Sequence, residues 1–257
     1  MGFLSDPLDI IARIHNDFPT KFGLPRQAGL APSLYSKIVF EPSYRIAEAL
    51  RGLDGFSYIW LIWGFSANEK PNEEQAASAA SGGRCESLCD SRPERKVWAE
   101  PSRQWSPTVR PPRLGGNVRM GVFATRSPYR PNPVGLSSVR LESIEADGDN
   151  GLVLIVSGAD LMDGTPIYDI KPYLPGVDSH PEATDGFVGT NQQEPLAVEL
   201  SPELADKLSD KQLKALREIL AHDPRPAYHD DPGRIYGMPY AGLDIHFSVE
   251  NGLVKAW

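Results

Sequence analysis

A chain of 257 residues, 40% hydrophobic and 23% charged, has the composition of a soluble globular protein, with room for one large domain or a domain plus an appendage. Its longest apolar run, Phe56 to Phe65, is about half the length that crosses a bilayer, and its first residues lack the basic-then-apolar order of a secretory signal. Two cysteines, Cys85 and Cys89, cannot build a disulfide framework, so a cytoplasmic protein with no membrane partner is expected.

Taken in chain order, Ile10 to Ile14, Lys37 to Phe40, Tyr58 to Phe65 and Val118 to Thr125 are runs of β-branched and aromatic residues between Pro/Gly turns. Each is predicted as a strand. Ala47 to Arg51 suits one or two helical turns. Residues 68–96 have almost no large apolar side chains and are predicted as a flexible insertion. The cysteines within it lack the further ligands that a metal site needs, so no metal is expected. Leu141 to Ala146 and Leu152 to Ser157 flank Asp147-Gly148-Asp149-Asn150-Gly151, a hairpin pattern. Short strands with few helices between them predict a small closed or nearly closed β-barrel over residues 1–180.

A polar linker follows over residues 181–198, and a small α+β domain is expected over 199–257. There Leu200, Leu204 and Leu208, then Leu213, Leu216 and Leu220, recur at helical spacing, and Ser209 with Gln212 makes a capping-box pattern. Ile245 to Val249 and Leu253 to Ala256 flank an Asn-Gly turn, a second hairpin. The fold class is therefore mainly β, a barrel with a small α+β unit after it.

Charge is unevenly distributed. The net charge is −8, yet residues 92–140 hold ten Lys/Arg against Glu94 and Glu100. Those arginines keep company with prolines and glycines, which favours an anion site over a solvated helical surface. Within this stretch Arg126 to Leu136 has Pro128, Pro131 and Pro133, which fix φ and remove donors, so a rigid extended loop is predicted. Arg126 and Arg130 can present two guanidinium forks to one carboxylate or phosphate. Asn132 can donate and accept, and Gly135 permits close approach of backbone to a ligand. Asp163, Asp169, Lys171 and Asp178 bracket a strand-like Ile167 to Ile170; their carboxylates suit an amine, a ribose hydroxyl or an arginine partner. Leu24-Pro25-Arg26-Gln27 taken alone says little.

Together, Pro25-Arg26-Gln27, Trp105 to Arg113, Gly121 to Pro133, and Asp163-Gly164-Thr165-Pro166 with Asp169-Ile170-Lys171-Pro172-Tyr173 resemble the TsaA-like (TrmO) family, in the same order over most of residues 8–178. Asp223 to Tyr228 and Arg234 to Met238 resemble the C-terminal domain of its longer bacterial members. The resemblance implies a β-barrel enzyme that uses S-adenosylmethionine to methylate N6 of threonylcarbamoyl-adenosine at position 37 of tRNA, and a homodimer. Carried over, the cofactor contacts fall on Pro25, Arg26, Gln27, Arg126, Leu136, Asp163, Gly164, Thr165 and Pro166. One more falls on Ser66 and Ala67, where a larger polar side chain is expected.

Attack by a ureido nitrogen is helped by removal of its proton, for which Asp169 and Asp178, with Tyr173 behind them, are the candidates. Arg110 or Arg130 suits the substrate's threonyl carboxylate, and Arg113, Asn132, Lys171, Arg225 and Tyr228 are further candidates for contact with the RNA. Two other classes stay open: a non-catalytic RNA-binding barrel holding an adenosyl ligand, and a phosphate-handling enzyme. The second lacks a Gly-rich cradle ending in Lys-Ser/Thr.

Overall fold

The computed structural model describes residues 8–65, 105–111, 118–191, 194–225 and 233–257. The predicted insertion, with Cys85 and Cys89, lies outside them, as do Ser66, Ala67, Arg113 and Tyr228.

Six strands close a barrel: β1 (Ala12–His15), β2 (Tyr35–Phe40), β3 (Tyr58–Gly64), β6 (Val134–Ala146), β7 (Leu152–Ser157) and β8 (Pro166–Pro172). Their order is β1-β2-β7-β6-β3-β8, and every pairing is antiparallel. Alternation does the work that period-2 reading expects. Ile59, Leu61 and Trp63 of β3 point inward with Val139 and Leu141 of β6, Ile38 of β2 and Ile167 of β8, while Tyr58 and Leu136 point out. The barrel and the β6–β7 hairpin thus follow the sequence. Ala47–Leu50 forms a 3-10 helix.

Two predicted boundaries move. Val118 to Thr125, expected as a strand, holds only β5 (Met120–Gly121), paired with β4 (Thr108–Val109), followed by a 3-10 turn over Val122–Ala124. In compensation β6 begins at Val134, inside the segment read as loop, and runs for 13 residues.

After a one-turn helix, α1 (Pro175–Asp178), the C-terminal part comprises β9 (Ala197–Leu200), β10 (Tyr236–Tyr240), β11 (Leu243–Glu250) and β12 (Leu253–Ala256). They form a four-stranded sheet in the order β10-β11-β12-β9, covered by a longer helix. The expected hairpin is β11–β12; β9, whose first residues fall in the predicted linker and whose Leu200 was read with the helical leucines, instead pairs parallel with β12. Two short helices precede the sheet's last three strands: α2 (Pro202–Ala205) and α3 (Asp210–Ala221). The Ser209–Gln212 capping box is formed, and Ala215, Leu216, Ile219 and Leu220 bury one face of α3.

This second core also takes in Phe18, Ala31 and Leu34 from the chain between β1 and β2. Polar links reinforce it. The Ser33 backbone N–H and Oγ donate to Glu218 at 2.8 and 2.7 Å, and Gln212 donates to Asp17 at 3.1 Å. The segment carrying Pro25–Gln27 is therefore held between the barrel and the C-terminal sheet.

Candidate functional site

A cavity of about 1360 Å³ opens where the end of β3 meets the start of β6. Here Trp63 pairs with Gly135 and Gly64 with Val134. A Cβ on Gly135 would overlap the Trp63 indole, so glycine at 135 is what lets that ring lie across β6. The close approach predicted at this glycine is made by a tryptophan of the protein. Trp63 Nε1 then donates to Ser137 Oγ at 3.0 Å, and Ser137 Oγ donates to Asp160 at 2.6 Å.

Residues 106–111 and 119–130 contribute a further part of the wall. Ser106 N–H donates to the Tyr129 carbonyl, Val122 N–H to the Pro107 carbonyl, and Trp105 stacks on Phe123 at 6.3 Å. The proline-rich loop is bent back on itself rather than extended. Thr125 Oγ1 donates to the Val122 carbonyl and accepts from Ser127 N–H, while Arg130 Nη1 donates to the Thr125 carbonyl at 2.9 Å. Arg130 also lies 5.9 Å from the ring centroid of Phe123. Phe123, Tyr129 and Leu136 line the cavity yet remain 73%, 59% and 55% exposed, apolar surface that a ligand could cover.

Of the cofactor residues expected from sequence, Pro25, Arg26, Gln27, Arg126, Leu136 and Thr165 line this one cavity. Asp163, Gly164 and Pro166 do not line it; they build the turn that delivers Thr165. Asp163 Oδ1 lies 3.2 Å from both His15 Nδ1 and Asn16 N–H, and the Gly164 carbonyl accepts from Arg13. Pro166 pairs with Arg13 in β1.

Arg26 has a fixed partner: its Nη2 donates to the Asp223 and Arg225 carbonyls at 3.2 and 2.7 Å, docking the C-terminal turn on the loop. Arg225 forms a two-pronged pair with Asp223, both bonds 2.8 Å, at 14% side-chain exposure. That guanidinium braces a turn and is turned away from solvent phosphates.

Arg110 and Arg130 line the cavity; Asn132 and Lys171 do not. The Asn132 carbonyl accepts from Val134 N–H, and Lys171 pairs with Asp169 at 2.8 Å. None of Asp169, Asp178 and Tyr173 lines the cavity; Asp178 and Tyr173 are joined to its wall through Trp60. Asp178 accepts from Trp60 Nε1 at 3.0 Å and from Leu174 N–H at 2.8 Å, and the Tyr173 ring packs 5.5 Å from that indole. The Leu174 amide and then the Trp60 indole hold the Asp178 carboxyl below its ordinary pKa.

The residue that sequence reading missed is Asp160. It is the one acidic side chain among the described residues of the wall, which otherwise carries Lys21 and several arginines. Burial pushes its carboxyl pKa up, opposed by the Ser137 hydroxyl, its own backbone N–H, Arg126 and the Ala28 N–H. The signal available was a lone aspartate between apolar Ala159 and Leu161 just past a strand, both of them fully buried.

Among the described residues no helix is long and apolar enough to cross a membrane, and no group of His, Cys, Asp and Glu could hold a metal ion. Residues 13–179 match the tRNA-methyltransferase O N-terminal domain and residues 193–256 the TrmO C-terminal domain. Over 247 residues the chain is 36% identical to an Escherichia coli tRNA (adenine(37)-N6)-methyltransferase, covering 93% of this chain and 91% of that protein. A Pseudomonas aeruginosa relative, whose name includes the words S-adenosylmethionine-dependent methyltransferase, is 37% identical over 245 residues, 92% of this chain and 90% of its own. A crystal structure of TrmO from Pseudomonas aeruginosa superimposes with a TM-score of 0.69 at 29% identity, over 99% of this chain and 98% of that one. With both halves matched in order, the chain belongs to the tRNA-methyltransferase O (TrmO) family.

Proposed function

We propose that this protein methylates N6 of threonylcarbamoyl-adenosine at position 37 of tRNA, beside the anticodon, using S-adenosylmethionine. The observation that carries the reading is the meeting of Pro25–Gln27, Arg126, Leu136 and Thr165, far apart in sequence, on one cavity. Its wall fits the cofactor's chemistry: Trp60, Trp63, Phe65 and Phe123 offer rings for adenine, and the arginines suit a carboxylate. At about 1360 Å³ it exceeds the roughly 300–1,000 Å³ that usually holds one small ligand, which supports room for a splayed-out base as well.

When bound, the cofactor supplies a methyl group already activated for in-line displacement. The protein's task is alignment, worth up to about 7–11 kcal/mol in favourable cases. In this reading Pro25–Gln27, Arg126, Leu136 and Thr165 hold the cofactor, with Asp163, Gly164 and Pro166 shaping the last of these; Ser66 and Ala67 are read as further contacts by family likeness alone. Arg130, with Nη1 engaged by its own loop, and Arg110 face the threonyl carboxylate. By family likeness we also read the protein as a cytoplasmic homodimer.

Neither Asp169, paired with Lys171, nor Asp178, with both of its donors in place, is assigned the proton here. Asp178→Asn is accordingly expected to keep most of its turnover while lowering the melting temperature. Loss of turnover in a fully folded variant would restore Asp178 as the base.

Arg110→Ala is expected to weaken tRNA binding and reduce the salt slope by about one, leaving cofactor affinity unchanged. Filter binding over a salt series, with calorimetric titration of the cofactor beside it, checks this. A loss of cofactor affinity would overturn the division of labour.

A further inference from the structure

Asp160 shares one cavity wall with Pro25–Gln27, Arg126, Leu136 and Thr165. It accepts from Ser137 Oγ at 2.6 Å, one residue beyond Leu136, and that hydroxyl is itself oriented by Trp63 Nε1 at 3.0 Å. The Ala28 amide, one residue beyond Gln27, and the Arg126 guanidinium both favour its charged form, and Gln27, Arg126 and Asp160 line the same cavity. Along the chain it opens the stretch that turns at Asp163–Gly164 and delivers Thr165. One carboxylate thus bonds the Ser137 hydroxyl of β6 and shares a cavity wall with Pro25–Gln27, Arg126 and Thr165.

We propose that Asp160 is a positioning residue for S-adenosylmethionine: its carboxylate fixes the Pro25–Gln27 loop against β6 and holds Arg126 at the cavity wall. This rests on the cofactor reading above. The job needs a charge, because a neutral side chain can accept from Ser137 or Ala28 yet exerts no pull on a guanidinium.

The charge is held at a cost to the fold. Burial raises the carboxyl pKa above its ordinary value, so the protonated form is the one that folding favours. The sign follows: the cost is absent below the unfolded-state pKa, grows as pH rises, and is complete above the raised folded-state value. A residue kept only for stability would be better served by asparagine.

The test is calorimetric titration of the full chain with S-adenosylmethionine beside thermal melts, for the unaltered protein, Asp160→Asn and Ser137→Ala. Asp160→Asn is expected to melt at or above the temperature of the unaltered protein while its Kd for the cofactor rises about tenfold or more, the size of one hydrogen bond to a charged group. In turnover assays KM for the cofactor should rise by more than kcat falls. Ser137→Ala is expected to raise Kd several-fold alone and to add little in the Asp160→Asn background, since both act through one network. An unchanged Kd in a folded Asp160→Asn protein overturns the proposal, as does a loss of affinity that merely tracks a lowered melting temperature. Should Asp160→Asn fail to fold, a Ser137→Ala protein that binds the cofactor normally overturns it instead. Absence of binding by the unaltered protein would sink the cofactor reading itself, and is distinguishable from either result.

Discussion

Replacing Arg126 by alanine is expected to raise the Kd for S-adenosylmethionine by about ten- to a hundredfold, as loss of a hydrogen bond to a charged group does. Arg126 lines the cavity within the electrostatic reach of Asp160, whereas Arg26 has Nη2 engaged by the carbonyls of Asp223 and Arg225, and Arg130 has Nη1 engaged by those of Thr125 and Ser127. It is the arginine whose fork is best placed for a ligand carboxylate. Lysine at 126 would keep the charge but lose the planar fork, so Arg126→Lys should recover only part of the affinity. Titration calorimetry on the three proteins checks the order. Equal affinity in all three would remove Arg126 from the site.

The second large effect lies at Gly135. An alanine methyl there would overlap the Trp63 indole, which is 8% exposed and pinned by its bond to Ser137. The ring has no free end to swing away, so it must shift bodily, and overpacking of this kind costs about 1–3 kcal/mol. For a chain of this size that lowers the melting temperature by about 2–4 °C per kcal/mol. The shift would also detach Trp63 from Ser137, so cofactor affinity should fall along with stability. Gly176→Ala is the matched control, since a Cβ there meets nothing within 4 Å. A Gly135→Ala protein with the melting point and affinity of the control would mean that Trp63 is not fixed as described.

The contrast between these sites shows what the sequence made legible. β3 was readable because Ile59, Leu61 and Trp63 alternate with outward residues in a run bounded by turns. The first half of β6 was not, because Gly135, Ser137 and Ser138 look like loop after three prolines. Ser137 is 2% exposed only because Trp63 and Asp160, distant in sequence, satisfy its hydroxyl. Leu200 fell in phase with the helical leucines that follow, whereas β9 exists through parallel pairing with β12, a contact more than fifty residues away along the chain. Val118 to Thr125 had the composition of a strand but found a partner only at Met120 and Gly121.

The site divides in the same way. Proline spacing and clustered arginines pointed to Arg126 and Arg130 as binders of an anion, and family resemblance supplied the cofactor. Locally Asp160 shows only as an aspartate between two apolar residues, and its meaning depends on Ala28, Ser137 and Arg126 arriving from three other segments. Arg225 shows the converse: a basic residue in a motif reads as a contact for RNA, yet its guanidinium is occupied by Asp223 two residues earlier.

The most direct test of the account is to incubate the protein with S-adenosylmethionine and tRNA, with and without threonylcarbamoylation at adenosine 37, and to analyse the nucleosides by mass spectrometry. The expected result is one added methyl group on threonylcarbamoyl-adenosine, with unmodified adenosine 37 left untouched. Cofactor binding with no methyl transferred to either tRNA would contradict it.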